Sequence, residues 1–201
     1  MRDGSPGGVT AGGLTGRRGA VSLAPATCPA VPFAPSIRAD DAAVDFDRLL
    51  SPECTVTNLV AASKKRALQL VADRLAARYP EFDADAVFDA LMARERLGST
   101  GVGEGVAIPH CRLAECEAPV AALVHLEAPV DFDAPDGREV DLLFVLVVPE
   151  EAHSTHLELL AAAARALSDP AYRAALRTAG DDVDLFRAAV HHHDARGAAA
   201  G

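Results

Sequence analysis

A chain of 201 residues that is half hydrophobic can close one domain-sized core with neither disulfides nor a structural metal. Its formal net charge of -10 and pI near 5.1 work against nucleic-acid or anionic-membrane partners, which are held by clustered Lys and Arg. The four cysteines, Cys28, Cys54, Cys111 and Cys116, match neither zinc spacing nor a dense disulfide framework, which points to a reducing cytoplasm. No apolar run approaches the ~20 residues of a membrane span, so membrane insertion is not expected.

Residues 1 to 42 are rich in Gly, Ala and Pro, carry no hydrophobic period, and read as a disordered arm. Arg17-Arg18 resembles the start of a twin-arginine export signal, but Pro25, Pro29, Pro32 and Pro35 interrupt every apolar stretch behind it. A single domain over 45–190 follows, and 191–201, with its three adjacent histidines, reads as a solvated, disordered tail. Cys54 to Val60 has strand character. Ser63 caps a helix through Tyr79 with Leu68, Val71, Leu75 and Ala76 on its buried face. Asp83 or Asp85 opens a second helix, carrying Val87, Phe88, Leu91 and Met92, that ends at Gly98.

Strands are predicted at Val106 to Pro109 and Ala121 to Glu127. After a Pro135-Asp136-Gly137 turn, the near-continuous apolar run Val140 to Val148 reads as the central strand. Thr155-His156-Leu157-Glu158 reads as a capping box opening a helix through Leu167, with Leu157, Leu160, Ala161 and Ala164 as its buried stripe. Pro170 starts another helix, Gly180 stops it, and Asp181 to Val190 closes the domain. The alternation implies an α/β sandwich, a mixed sheet with helices on both faces.

Chemistry concentrates where Arg94-Glu95-Arg96-Leu97-Gly98-Ser99-Thr100 runs through Gly101, Gly103 and Gly105 into Val106-Ala107-Ile108-Pro109-His110. A glycine-punctuated loop feeding a short strand presents one imidazole, His110, at the strand's end. One imidazole nitrogen can be nucleophilic at neutral pH while the other, hydrogen-bonded, fixes the tautomer. His156, placed by the capping box at a helix start, would sit where backbone N–H groups favour an anion. Ser99 and Thr100 offer donors beside the loop. No Gly-Lys-Ser/Thr or dinucleotide glycine pattern follows, so no nucleotide site is read. Cys111 lies next to His110 but on the opposite face of a strand, which makes it a packing residue. His125 reads as a packed or edge histidine, and His153 finds no carboxylate or cysteine at ligand spacing to complete a metal site.

The run from Arg94 to His110 resembles the active-site segment of enzyme IIA domains of the bacterial phosphoenolpyruvate-dependent phosphotransferase system, in the fructose/mannitol superfamily. Leu49-Leu50-Ser51-Pro52, Ala61-Ala62-Ser63-Lys64-Lys65, Phe132-Asp133-Ala134 and Val140-Asp141-Leu142-Leu143-Phe144 extend the likeness over 45–190, most closely to the nitrogen-regulatory branch. The resemblance implies that His110 is the phosphoryl acceptor, His156 a supporting histidine and Arg94 a phosphate-holding guanidinium. It implies a phosphotransferase that takes its phosphoryl group from an HPr-type phosphocarrier protein, needs no cofactor or metal, and controls regulatory target proteins by its phosphorylation state. A sugar-transport IIA passing the group to an EIIB cysteine is the alternative within the superfamily, and a non-catalytic interaction module the alternative outside it. Position 111 is Cys where many members have Gly, which asks whether the backbone there needs a positive φ.

Overall fold

The structure is a computed structural model and describes residues 46–191; the arm expected at 1 to 42, and the tail beyond His191, lie outside the described residues. Helix α1 (Phe46–Leu49) leads directly into strand β1 (Leu50–Leu59), which begins four residues earlier than expected. Pro52 is tolerated there because β1 is the outer strand of the sheet, where a missing N–H costs no ladder bond. Helices α2 (Lys64–Arg78) and α3 (Ala84–Arg96) form as read, each begun by a side-chain cap: Ser63 accepts from the Arg66 N–H and Asp83 from the Ala86 N–H.

The glycine loop is a β-hairpin, β2 (Gly101–Gly103) against β3 (Val106–Ala107). Its turn places Gly103, Glu104 and Gly105 at positive φ. At Gly105 the φ of 78° favours glycine, and at Gly101 a Cβ would lie 2.8 Å from the Ala134 Cβ, so close approach requires glycine there. Strand β4 (His110–Leu113) follows, then β5 (Val120–Val130) and β6 (Val140–Pro149). The domain closes with α4 (His153–Leu167), α5 (Pro170–Arg177) and α6 (Asp182–Val190).

The six strands make one mixed sheet, β1-β5-β6-β3-β2, with β4 also pairing β6. β6 is the central strand as its apolar run implied: antiparallel to β5, and parallel to β3 at Leu142–Leu143 and to β4 at Leu146–Pro149. β3 and β4 are thus two halves of one path broken at Ile108–Pro109. The Pro109 carbonyl still accepts from Leu146 N–H at 2.9 Å, so the break does not detach the strand. Alternate residues of β6 supply two cores. Leu143, Val145 and Val147 pack toward α2 and α3, while Leu142, Phe144, Leu146 and Val148 pack toward α1 and α4 to α6. Helices therefore cover both faces, the sandwich expected from the alternation.

Two expectations for α4 are corrected. The helix starts at His153, with Ala152 at its N-cap and no side-chain cap, so Thr155 lies inside the first turn and is not the cap. A backbone bond from Ala152 N–H to the Pro149 carbonyl closes the turn out of β6 and sends the chain into the helix early. The buried stripe is accordingly Leu159, Ala162, Ala163, Ala166 and Leu167, with His156 in line with it; of the expected stripe, Leu160 and Ala164 pack partly buried against it, whereas Leu157 and Ala161 are exposed.

Candidate functional site

His110 is the first residue of β4, and strand alternation puts Ile108, His110 and Arg112 on the face toward α4, while Cys111 and Leu113 enter the core beneath α2 and α3. The His110 ring is fixed at both nitrogens. Nδ1 lies 2.9 Å from the Ile108 carbonyl, which can only accept, and Nε2 receives the Arg94 Nε–H at 2.9 Å, from a group that can only donate. These two partners define one neutral tautomer, with its proton on Nδ1 and its lone pair on Nε2. Burial holds the His110 pKa below the usual histidine range; the Ile108 hydrogen bond opposes this and the Arg94 charge reinforces it.

Arg94 arrives from the last turn of α3, the helix on the opposite face, and reaches past the sheet edge to His110. Its Nη1 is tied to the Gly98 carbonyl at 2.9 Å, which holds the guanidinium to the turn that follows α3. The expected trio of Arg94, His110 and His156 is brought together: the two imidazole rings meet edge to face, centroids 5.1 Å apart at 69°. His156 is only 6 % exposed. It is the fourth residue of α4, not the first, and its backbone N–H already bonds the Ala152 carbonyl, so its place in the site comes from the buried stripe of the helix and not from a free helix terminus.

Ser99 and Thr100 do not offer their hydroxyls to the site as expected. The Ser99 hydroxyl donates to the Phe132 carbonyl and accepts from Gly101 N–H, and the Thr100 hydroxyl and N–H both bond the Glu95 carboxylate. Their observed work is bracing. Glu95, buried, also takes Lys64 Nζ at 3.1 Å, and Lys64 reaches Asp133 at 2.8 Å. This network pins the α3-to-β2 turn immediately beside Arg94. Burial works against the Lys64 ammonium, but its hydrogen bonds to Asp133 and Glu95 outweigh that and raise its pKa.

Sequence reasoning missed two contributors. Glu95 sat inside the quoted Arg-Glu-Arg run with nothing to mark it as buried. Arg112 donates from Nε to His156 Nδ1 at 3.1 Å, and the signal that could have found it is its place two residues beyond His110 on one strand, hence on the same face. Cys111 is buried with its thiol pushed up to about 12 by burial, and it is absent from the residues at positive φ, so β4 needs no glycine there. His125 is half-buried and shares a hydrogen bond with Thr57. Among the described residues, no three His, Cys, Asp or Glu converge as a metal site.

The arrangement sets an imidazole nitrogen with its lone pair against one guanidinium, beside a second imidazole held by another guanidinium, which suits a transferable phosphoryl group. Comparison with known proteins identifies the family. Residues 48–189 match the family described as phosphoenolpyruvate-dependent sugar phosphotransferase system, EIIA 2. A nitrogen regulatory protein of Pseudomonas aeruginosa is 49% identical over 147 residues, 73% of this chain and 96% of that one. Its Escherichia coli counterpart is 40% identical over 149 residues, 74% of this chain and 91% of that one. The crystal structure of nitrogen regulatory protein IIA-Ntr from Neisseria meningitidis superposes with TM-score 0.63 at 37% identity, covering 70% of this chain and 96% of that one. The mannitol IIA of Escherichia coli shares the fold at 18% identity, TM-score 0.54, covering 65% of this chain and 92% of that one. With its family match and these relatives, the chain belongs to the EIIA type 2 family of the phosphoenolpyruvate-dependent phosphotransferase system.

Proposed function

We propose that this chain is a cytoplasmic phosphoryl carrier of the nitrogen-regulatory kind, charged on His110 Nε2 by an HPr-type phosphoprotein. The observation that carries the reading is the His110 tautomer: the Ile108 carbonyl holds the proton on Nδ1, leaving the Nε2 lone pair facing Arg94. In the transfer, the Nε2–P bond forms as the donor's N–P bond breaks, and the donor nitrogen keeps the electron pair. Positive charge grows on the His110 ring and is eased by the Nδ1–H to Ile108 bond. Arg94 gives up Nε2 and turns its fork onto the phosphoryl oxygens, a change of partner within the reach of a side chain already anchored at Gly98. His156 supports the same oxygens. Leu97 and Leu157, exposed beside Arg94 and His156, give the docking partner an apolar rim.

The regulatory role rests on likeness to proteins named nitrogen regulatory protein at 40 to 49% identity. In that role, targets bind one phosphorylation state in preference to the other. The second reading is transfer onward to an EIIB cysteine, favoured by a fold neighbour that is a complex of enzyme IIA-mannitol with phosphorylated enzyme IIB-mannitol, though at 18% identity. The test is to charge the protein with labelled phosphoenolpyruvate and the upstream carriers, then offer an EIIB domain. Label retained on this chain supports the regulator, rapid passage to EIIB supports transport, and failure to take label at all refutes both.

A further inference from the structure

We propose that Arg112 is a positioning residue that locks His156 in the tautomer protonated on Nε2, so that this imidazole meets phosphorylated His110 as a hydrogen-bond donor. The inference rests on the carrier reading for its purpose, and on geometry alone for the tautomer. Arg112 Nε lies 3.1 Å from His156 Nδ1. A guanidinium has five donors and no acceptor, and does not lose its charge in a protein, so the nitrogen it faces must carry the lone pair. The proton of the neutral ring is then on Nε2.

Three features make this a built arrangement and not a chance surface contact. His110 and Arg112 project from the same face of β4, so one short strand sets both the acceptor and the group that orients its neighbour. The His156 ring is buried and wedged edge to face against His110, which fixes the direction of its nitrogens. Among the described residues no carboxylate pairs with Arg112, so its charge is directed to the two histidines: it bonds one and helps to keep the other neutral. Without Arg112, the two neutral tautomers of His156 would compete, and the one protonated on Nδ1 would turn a lone pair toward phosphoryl oxygens and repel them.

The experiment uses the full chain with 15N-labelled histidine, read by long-range proton–nitrogen NMR without any phosphoryl donor, in wild type, Arg112→Met and Arg112→Lys. Wild-type His156 should appear as one tautomer protonated on Nε2, Arg112→Met as a mixture, and Arg112→Lys, which also only donates, close to wild type. Phosphoryl acceptance from an HPr-type donor should fall about three- to tenfold in Arg112→Met, the size of one hydrogen bond made in only part of the population, and recover in Arg112→Lys. A tautomer unchanged in Arg112→Met, or a changed tautomer with an unchanged rate, overturns the proposal. A wild-type protein that takes no phosphoryl group removes the carrier reading and the reaction role of Arg112 with it, while the tautomer assignment is decided separately by the spectra.

Discussion

Arg94 and Arg112 each donate from Nε to an imidazole, yet Arg94 meets Nε2 of His110 at 2.9 Å whereas Arg112 meets Nδ1 of His156 at 3.1 Å. The same chemistry therefore produces opposite tautomers a few ångströms apart. In the proposed transfer, the guanidinium on His110 rests on the reacting nitrogen and would leave it when phosphorus arrives. On His156 it would hold a nitrogen that takes no part in the proposed transfer, and stay. On the proposed reading, that difference separates a nucleophile from its support in two rings that composition alone makes identical.

Breaking the comparison at the nucleophile gives the largest effect. His110→Ala should take no stable acid-labile phosphate, because among the described residues no other imidazole has one nitrogen on a backbone carbonyl and its lone pair facing Arg94. Label surviving in that variant would reassign the acceptor. Removing the support should slow transfer without abolishing it: His156→Ala and Arg94→Ala are each expected to lose about 10–100-fold in rate, the scale of a lost hydrogen bond to a charged group at about 1.5–3 kcal/mol. Rapid-quench rates with a phosphorylated HPr-type donor would show this, and a loss as complete as that of His110→Ala would mean the supports are not merely supports.

Smaller effects sharpen the contrast. Cys111→Ser should change acceptance by no more than about threefold, since the thiol sits on the core face with a pKa pushed up to about 12 by burial. A rate lower by orders of magnitude would show that the strand delivers two reactive groups instead of one. The smallest effect is on pH. Because burial lowers the His110 pKa in the fold, the ring stays neutral at pH values where a free histidine, with a pKa of about 6.5, begins to charge. The unfolded chain then binds the extra proton. The stability contributed by the neutral ring is therefore present above about pH 6.5 and lost as pH falls from there toward the lower folded value. A titration by NMR that places His110 above the ordinary histidine range would contradict the buried, guanidinium-flanked environment.

What could be read in advance divides along physical lines. Helices α2 and α3 were legible because Ser63 and Asp83 cap them through their own side chains. The start of α4 lies three residues before the expected one because Ala152 gives no such signal and the Thr155 box, chemically plausible, is not the entry point. That offset leaves Leu160 and Ala164 at the margin of the buried stripe and puts Leu157 and Ala161, expected inside, outside. β1 started earlier than expected because its first half is irregular, with its register to β5 shifting between Leu50 and Thr55. β2 went unread because three residues bounded by glycines look like a loop until β3 pairs with them. His110 and Arg94 were legible since both lie within one continuous segment. Arg112 was not singled out, because its meaning depends on a helix 44 residues away.

The central claim is that the His110 tautomer selects which nitrogen carries the phosphoryl group. The direct measurement is phosphorus and nitrogen NMR on the full 15N-histidine-labelled chain after charging with phosphoenolpyruvate and the upstream carriers. The proposed mechanism predicts a single phosphohistidine, bonded through Nε2 of His110, with Nδ1 still protonated against the Ile108 carbonyl. Phosphorus bonded to Nδ1 of His110, or found on His156, would contradict it.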